Sequence, residues 1–96
     1  MSAYCLFDNV AVNNPAKLEE YKNKVLPVVE KYGGKYVLLG GNTEVVEGQW
    51  KPVYPVMIEF PDVELAKKWY YSEDYKALKA LRLSAVTSNA VIMEGL

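Results

Sequence analysis

The chain contains 96 residues, of which 51% are hydrophobic and 24% are charged, and its net charge is -1. This composition is typical of one soluble globular domain spanning residues 1–96, and it excludes a disordered or fibrous chain. The charge lacks the basic surplus of a nucleic-acid-binding protein, and no apolar stretch approaches the roughly 20 residues that cross a bilayer. Because the start Met1–Tyr4 lacks the basic residues of a secretory signal, we expect a cytoplasmic protein with no nucleic-acid or membrane partner.

The residue types that are missing limit the chemistry. The sequence has no histidine, which excludes an imidazole base, a Ser-His triad and most mixed-ligand zinc sites. Cys5 is the only cysteine, and its apolar neighbours favour a packing role over a reactive thiol. The chain has no glycine-rich phosphate-binding motif, and its acidic residues are not spaced as in a calcium-binding loop. We therefore expect neither a metal ion nor a cofactor.

The first predicted elements are a strand and a helix. Tyr4–Val12 is rich in aromatic and β-branched residues, which predicts a strand that Asp8 and Asn9 interrupt. Strand alternation sends these two polar side chains to opposite faces. Asn14 precedes a proline and predicts the N-cap of a helix, in which Pro27 is expected to cause a kink.

A predicted hairpin follows this helix. Gly33-Gly34 is expected to end the helix, since glycine tolerates the left-handed conformation of a C-cap. Lys35–Leu39, the turn Gly40–Asn42 and the arm Thr43–Glu47 then read as two paired strands. The second arm is short and partly charged, which is typical of a sheet edge.

The remainder of the chain predicts a strand, two helices and a last strand. Val53–Phe60 reads as the strand, and Asp62 as the N-cap of the helix after it. Ser72 precedes an acidic turn and predicts the N-cap of a third, short helix. Ser84–Ser88 reads as a linker and Ala90–Met93 as the final strand.

This order repeats a β-α-β unit, which predicts an α+β fold: a ferredoxin-like split β-α-β sandwich with an antiparallel sheet. The helices of such a fold cover one face of the sheet and leave the other face open. A second copy of the chain is the simplest cover for the open face. We therefore expect a homodimer joined through its sheet faces, which is a dimeric α+β barrel.

Several segments are specific enough to compare with a known family: Glu30–Tyr36, Gly40-Gly41 with Glu47-Gly48, Ile58–Pro61, Trp69–Tyr75, Arg82 and Glu94-Gly95. Together they resemble domain-of-unknown-function family 1330 over nearly the whole chain. The resemblance implies a dimeric α+β barrel, a superfamily that includes small monooxygenases acting on aromatic substrates, muconolactone isomerases and non-catalytic binding proteins. It therefore implies a fold more strongly than a reaction. Leu39 stands where we expect an arginine in many relatives, and any anion contact made by that arginine is lost here.

Arg82 is a candidate catalytic residue. It is the only arginine of the chain, and it falls on the helix face that Tyr75 and Leu78 share. Arginine suits a planar, bidentate contact to a carboxylate, so Arg82 could anchor an acidic ligand. The alternative is a structural ion pair with Glu59 or Asp74.

Glu59 is the second candidate catalytic residue. It lies in the middle of a predicted strand, out of register with its apolar neighbours, so we expect it on the dimer side of the sheet. In a chain without histidine it is the best candidate for a general base. An ion pair or hydrogen bond across the dimer interface is the alternative.

A ligand between the helices and the sheet would contact side chains from several elements. The predicted ligand-binding residues are Asp8, Asn9, Tyr21, Trp69, Tyr70, Ser72 and Tyr75. For the aromatic members, core packing is the alternative, and for Ser72 it is helix capping. Trp50 lies in a predicted loop, where it would pack on the partner subunit or close a pocket.

Two functions are consistent with these features. The first is a small homodimeric protein that binds an aromatic or carboxylated metabolite and acts as a cofactor-free isomerase or monooxygenase-like enzyme through Glu59 and Arg82. The second is a non-enzymatic dimeric module that binds a ligand or a partner without turnover.

Overall fold

The computed structural model describes residues 1–96 and packs three helices against one face of a four-stranded antiparallel sheet. The elements in chain order are β1 (Ala3–Val12), α1 (Pro15–Lys31), β2 (Lys35–Leu39), β3 (Pro55–Phe60), α2 (Val63–Tyr70), α3 (Glu73–Ala85) and β4 (Val86–Glu94). The strands lie in the order β2-β3-β1-β4. This arrangement confirms the predicted ferredoxin-like α+β fold. None of the three helices is both long enough and apolar enough to span a bilayer.

The central strand β1 divides its side chains between the two faces of the sheet. Ala3, Cys5 and Phe7 are buried beneath the helices. The alternate residues Tyr4 and Leu6 point to the opposite face, which no helix covers. Burial raises the pKa of the Cys5 thiol to about 12, so this cysteine is a packing residue of the core.

The three predicted helix N-caps are confirmed. The side chain of Asn14 accepts a hydrogen bond from the Lys17 amide, and that of Asp62 accepts one from the Leu65 amide. The Ser72 hydroxyl accepts one from the amide of the third residue of α3, over 3.1 Å. Each side chain satisfies an amide that the first turn of its helix leaves free.

The end of α1 also follows the prediction. Gly33 has φ 82°, and its amide bonds to the Glu30 carbonyl while the Gly34 amide bonds to the Val29 carbonyl. This is the Schellman arrangement, in which a glycine takes the left-handed conformation after the last helical turn. Pro27 lies inside α1 on its exposed side, and the helix continues past it to its last turn.

The predicted second hairpin arm is wrong. Residues 43–47 form no strand, and β2 pairs only with β3, so the outer edge of β2 is unpaired within the chain. Gly40 and Gly41 have φ 69° and 56° and turn the chain away from β2. The strand predicted from Val53 begins only at Pro55, because the preceding amides are engaged by a side chain of β1.

The predicted linker at residues 84–88 is also wrong. Helix α3 runs to Ala85 and β4 begins at the next residue. The Ala85 carbonyl accepts hydrogen bonds from the amides of Asn13 and Asn14, and Thr87 and Ser88 pair with β1. Pairing with the central strand therefore outweighs the low apolar content of this segment.

The core is centred on Trp69 of α2, which is fully buried. Its ring centroid lies 4.3 Å from that of Tyr75, 5.4 Å from that of Phe60 and 6.2 Å from that of Phe7. These contacts join α2 and α3 to the central strands β1 and β3. Such aromatic pairs add stability beyond the area they bury.

Asp74 at the start of α3 connects this helix to α1. Its Oδ2 atom accepts hydrogen bonds from Lys31 Nζ, at 2.6 Å, and from the Tyr32 hydroxyl, at 2.9 Å. The bond from Lys31, followed by the one from Tyr32, holds the pKa of the Asp74 carboxyl below its ordinary value of 3.8. Because this pKa is lower in the folded state than in the unfolded state, the ionised Asp74 carboxylate stabilises the fold at pH values above the pKa of the unfolded state.

We expect Asp74→Asn to lower Tm slightly at neutral pH, because the charge interactions of this exposed carboxylate are screened by water. The difference from wild type should vanish as the pH falls through the folded pKa of Asp74, since the wild-type carboxyl is then protonated too. Thermal denaturation, followed by circular dichroism from neutral to strongly acidic pH, measures this difference in Tm. Glu73→Gln, at the adjacent position, controls for the loss of a negative charge. An equal Tm difference at neutral and strongly acidic pH would contradict the assignment.

Candidate functional site

A cavity of about 260 Å³ lies between α1 and the sheet. Its lining is mostly apolar, and its charged or amide side chains are those of Asn9, Lys22 and Arg82. Asn9 and Arg82 both lie next to Ser88, at what we call the polar end of the cavity. The lining residues are Phe7, Asn9, Leu18, Tyr21, Lys22, Val25, Leu26, Tyr36, Leu39, Tyr54, Val56, Ile58 and Arg82. Helix α1 forms the roof and strands β1, β2 and β3 form the floor. An apolar cavity with few polar groups is the usual form of a small-molecule site.

An irregularity in β2 shapes one wall of this cavity. Tyr36 pairs with Ile58, but the next paired residue, Leu38, is opposite Met57. One extra residue is therefore present in β2, as in a β-bulge, and it changes which side chains face the helices. As a result Tyr36 and Leu39 both line the cavity although they are three positions apart.

Arg82 lies at the polar end of the cavity and is 4% exposed. Its Nε donates a hydrogen bond to the Tyr75 hydroxyl at 3.3 Å, and its Nη1 donates one to Ser88 Oγ at 2.9 Å. The guanidinium carbon lies 4.9 Å from the centre of the Phe7 ring, within the range of a cation–π contact. Within the chain, the ion pair with Glu59 or Asp74 that the sequence left open is absent.

Two tyrosine hydroxyls form a hydrogen-bonded chain with Arg82, and of these two tyrosines Tyr21 lines the cavity whereas Tyr75 does not. The hydroxyl oxygens of Tyr21 and Tyr75 are 2.8 Å apart. Burial raises the pKa of both groups; the Arg82 charge opposes this rise at each, and the hydrogen bond between them opposes it at Tyr75. Both hydroxyls are therefore neutral at physiological pH and act as hydrogen-bonding groups rather than as bases.

Asn9 is the third polar residue at this end. It is 8% exposed, and its Oδ1 atom is buried without a hydrogen-bond partner. Asn9 lies directly opposite Ser88 in the β1–β4 register. A buried acceptor without a partner costs about 1–3 kcal/mol.

Asp8 faces the other side of the sheet and binds the segment that precedes β3. Its Oδ1 accepts hydrogen bonds from the amides of Val53, at 3.0 Å, and Tyr54, at 3.3 Å, and its Oδ2 accepts one from Trp50 Nε1 at 3.1 Å. These hydrogen bonds hold the backbone of Tyr54, whose side chain lines the cavity. Asp8 therefore positions a wall of the cavity without lining it. Trp50 is 60% exposed, as expected of a loop residue.

Glu59 lies outside the cavity. It pairs with Tyr4 of β1 and with Lys35 of β2, on the face without helices, and it accepts a hydrogen bond from the Tyr4 hydroxyl at 3.2 Å. Arg82 belongs to α3 and lies on the face of the sheet that the helices cover, so one subunit holds these two residues on opposite faces of its sheet. The base role of Glu59 stays a prediction.

The other predicted ligand-binding residues have different positions. Trp69 is enclosed in the core, and Ser72 caps α3 and also donates to the Trp69 carbonyl. Tyr70 lines a second, open depression of about 350 Å³ between α2 and β4. That depression is larger, but its lining has a single charged side chain, that of Lys67, and no asparagine or glutamine. We therefore take the cavity at Arg82 as the candidate site. No three of the acidic residues and Cys5 lie close enough together to hold a metal ion.

Sequence reasoning did not identify Tyr36, Tyr54 and Ser88 as parts of the site. Tyr36 and Tyr54 were visible as aromatic residues of predicted strands, but the bulge in β2 and the contact with Asp8 decide where they point. Ser88 fell in the predicted linker, and only its pairing with Asn9 brings it to Arg82.

The fold and the cavity together define a ferredoxin-like α+β protein with room for a small molecule between its helices and its sheet. A family model described as Domain of unknown function (DUF1330) matches residues 2–96, and the chain belongs to this family. The family resemblance of the sequence is thereby confirmed. No curated protein matches the chain.

Solved structures share the fold at low sequence identity. The chain is similar to the RPA0582 protein of unknown function from Rhodopseudomonas palustris, with 20% identity, a TM-score of 0.75 and coverage of 99% of this chain and 82% of that one. It is similar to a dimeric ferredoxin-like protein of unknown function from Jannaschia sp. CCS1, with 10% identity, a TM-score of 0.73 and coverage of 99% and 100%.

An enzyme is also among the similar structures. SnoaB, a cofactor-independent oxygenase from Streptomyces nogalater, has 12% identity, a TM-score of 0.62 and coverage of 99% of this chain and 91% of its own. At these identities the likeness establishes the fold, and function must be argued from the residues of this chain.

We expect Asp8→Ala to release the segment that carries Tyr54. Hydrogen exchange of the Val53 and Tyr54 amides, measured by NMR, should accelerate about ten-fold or more, because hydrogen bonds to a carboxylate contribute about 1.5–3 kcal/mol. The Ile58 amide in the middle of β3 should keep its rate. Glu59→Gln is the matched control, since it changes a carboxylate on the same face that contacts no residue of this segment. Unchanged exchange of the two amides in Asp8→Ala would refute the role of Asp8.

Proposed function

We propose that this protein is a homodimer that binds a small, flat, largely apolar molecule with an acidic group in the cavity between α1 and the sheet. The acidic group binds Arg82, and the apolar part lies among the aromatic and aliphatic side chains. The observation that carries the proposal is Arg82, a buried guanidinium that faces a cavity and has no carboxylate partner.

The argument rests on the cost of burying a charge. A buried cation is destabilising unless it is paired and hydrogen-bonded. Arg82 donates hydrogen bonds to only two groups, the neutral hydroxyls of Tyr75 and Ser88. Its Nη2 atom has no hydrogen-bond partner in the protein. Arginine presents its donors in a fork that matches a carboxylate. An acidic ligand would therefore supply both the missing charge and the missing acceptors.

The volume and the lining of the cavity favour a ligand of one or two rings. Its volume of about 260 Å³ lies near the lower limit of small-molecule sites. The rings of Phe7, Tyr36 and Tyr54 are in its lining and offer faces for stacking. These features support an aromatic ligand over an extended chain.

Cofactor-free turnover is the second candidate function. The shared fold with SnoaB favours it, and a buried guanidinium could stabilise the anion that forms when a substrate loses a proton. However, the cavity lining contains no carboxylate, and burial raises the pKa of the lining residues Tyr21 and Tyr36. A base is therefore missing from the cavity of one subunit, so we place binding before isomerisation or oxygenation.

The face of the sheet without helices supports the homodimer. Its exposed apolar side chains include Leu38 of β2 and Val91 and Met93 of β4, which are 38%, 51% and 39% exposed. The register places Leu6 of β1 between Met57 and Val91. Burial of such a surface favours association, and similar structures are dimeric. In a homodimer joined here, Glu59 and Tyr4 would lie at the interface.

We expect Arg82→Gln to weaken binding of 2-naphthoate about 10-fold to 100-fold, because the charge-assisted hydrogen bonds to the carboxylate contribute about 1.5–3 kcal/mol. Isothermal titration calorimetry measures the change in Kd, and thermal denaturation confirms that the variant is folded. Lys76→Gln is the control, since it removes a positive charge from an exposed position of the same helix. Equal affinity of folded Arg82→Gln and wild type would refute the anchor role, and so would equal affinity of the wild type for 2-naphthamide.

We expect Val91→Lys to convert the dimer into monomers, because a charge in an apolar interface loses its hydration. Sedimentation velocity at micromolar concentration measures the change. Val46→Lys is the matched control, because this valine is 81% exposed and lies outside the sheet. A monomeric wild type, or a dimeric Val91→Lys, would contradict the proposed interface.

A further inference from the structure

The hydroxyl group of Tyr36 is a polar group of the cavity without a partner in the protein. The tyrosine hydroxyls that form hydrogen bonds within the chain are those of Tyr4, Tyr21, Tyr32 and Tyr75, and that of Tyr36 is not among them. The Tyr36 side chain is half-buried and lines the cavity. Buried polar groups normally have a hydrogen-bond partner, so this hydroxyl can take one that enters the cavity.

The Tyr36 hydroxyl and the Nη2 atom of Arg82 are both open to contact. The side-chain polar atoms that are fully enclosed without a partner are Asn9 Oδ1 and Trp69 Nε1. Neither the Tyr36 hydroxyl nor Arg82 Nη2 belongs to this set, although both lack a partner in the protein. The cavity therefore offers two free hydrogen-bond donors on residues that line it.

The sheet register directs the Tyr36 side chain toward the helices. Tyr36 of β2 is directly opposite Ile58 of β3, and paired residues of an antiparallel sheet project from the same face. Ile58 is 1% exposed and belongs to the core beneath the helices, and Tyr36 packs against this core. The bulge follows Tyr36 and leaves its pairing with Ile58 unchanged. The ring is therefore held by the same packing that forms the cavity floor.

The electrostatic surroundings of Tyr36 place its hydroxyl near the polar end of the cavity. Burial raises the pKa of this hydroxyl above its ordinary value, Tyr75 raises it further, and the Arg82 charge lowers it. Tyr36 in turn contributes to the raised pKa of Tyr21. The Tyr36 hydroxyl is thus shielded from bulk water and within electrostatic range of the guanidinium. It is neutral at physiological pH and able to donate a hydrogen bond.

The two ends of the cavity differ in exposure. Leu26 of α1 and Leu39 of β2 line the cavity and are 47% and 59% exposed, so they mark its opening. Arg82 is 4% exposed and marks its inner end. A ligand whose acidic group binds Arg82 therefore enters with that group first, and its apolar part lies toward the two leucines.

We propose that Tyr36 is a second binding residue for the acidic group of the ligand, and that its hydroxyl donates a hydrogen bond to the carboxylate that Arg82 holds. This inference rests on the proposed function, since it adds a contact to the same ligand. A carboxylate has two acceptor oxygens and no donor, whereas a carboxamide has only one acceptor oxygen. Arg82 and Tyr36 together therefore select a carboxylate over its neutral amide.

The test is Tyr36→Phe, which removes only the hydroxyl oxygen. We expect the Kd for 2-naphthoate to rise about ten-fold, because a hydrogen bond to a charged acceptor is lost. The Kd for 2-naphthamide should rise less than about three-fold, because its acceptor is neutral. Isothermal titration calorimetry measures both constants. The Tm of the unliganded protein should not fall, since the hydroxyl has no partner in the protein.

Two other substitutions in the cavity lining are the matched controls. Tyr54 also lines the cavity, but its ring packs against Gly40 at the end of β2 and lies 5.4 Å from Lys22 Nζ. Lys22 is exposed, so this contact lies on the outer side of the cavity. Tyr54→Phe and Lys22→Gln should each keep the Kd for 2-naphthoate within about two-fold, since interactions of exposed charges contribute little. A ten-fold loss in Lys22→Gln without a loss in Tyr36→Phe would place the carboxylate at the opening and overturn the inference.

The two proposals fail in different ways. If the wild type does not bind 2-naphthoate, the proposed function itself is wrong. If Arg82→Gln weakens binding but folded Tyr36→Phe binds 2-naphthoate as wild type does, the anchor stands and the inference about Tyr36 is wrong. Equal losses for 2-naphthoate and 2-naphthamide in Tyr36→Phe would also overturn the inference, because the hydroxyl would then act on the shape of the cavity and not on the acidic group.

Discussion

The central strand β1 hydrogen-bonds to β3 on one side and to β4 on the other, and this double pairing is the constraint on which the rest of the structure depends. As in any strand, its successive side chains point to opposite faces of the sheet. Phe7 and Asn9 are directed under the helices, whereas Asp8 between them is directed to the other face. The cavity floor and the support of its wall therefore come from consecutive residues.

The buried charge of Arg82 gives the cavity its chemical character. Its partners within the chain are neutral hydroxyls and the face of Phe7, which orient the guanidinium without neutralising it. Tyr75 connects the guanidinium to the core through its contact with Trp69. The side chain that orients Arg82 is therefore fixed by core packing. In the proposed function, a guanidinium held in this way needs little reorganisation to bind an anion.

Local signals in the sequence predicted local features well. The side chains of Asn14, Asp62 and Ser72 cap helices as expected, since a cap depends on residues three positions apart. Features that depend on distant residues were predicted poorly. The segment 43–47 resembles a strand but forms none, although the outer edge of β2 is free within the chain. Ser88 looks like part of a linker but is paired with Asn9.

The sequence by itself determined the order of the three helices and the four strands, apart from the wrongly predicted hairpin arm, and it determined the two-layer fold. It could do so because periodicity and capping are encoded within a few neighbouring positions. Only the tertiary structure decided which side chains share a cavity. Strand order and register bring Asn9 to Arg82 and separate Glu59 from it by the thickness of the sheet. A shift of one residue would have reversed these faces, and register is fixed by packing across the whole sheet.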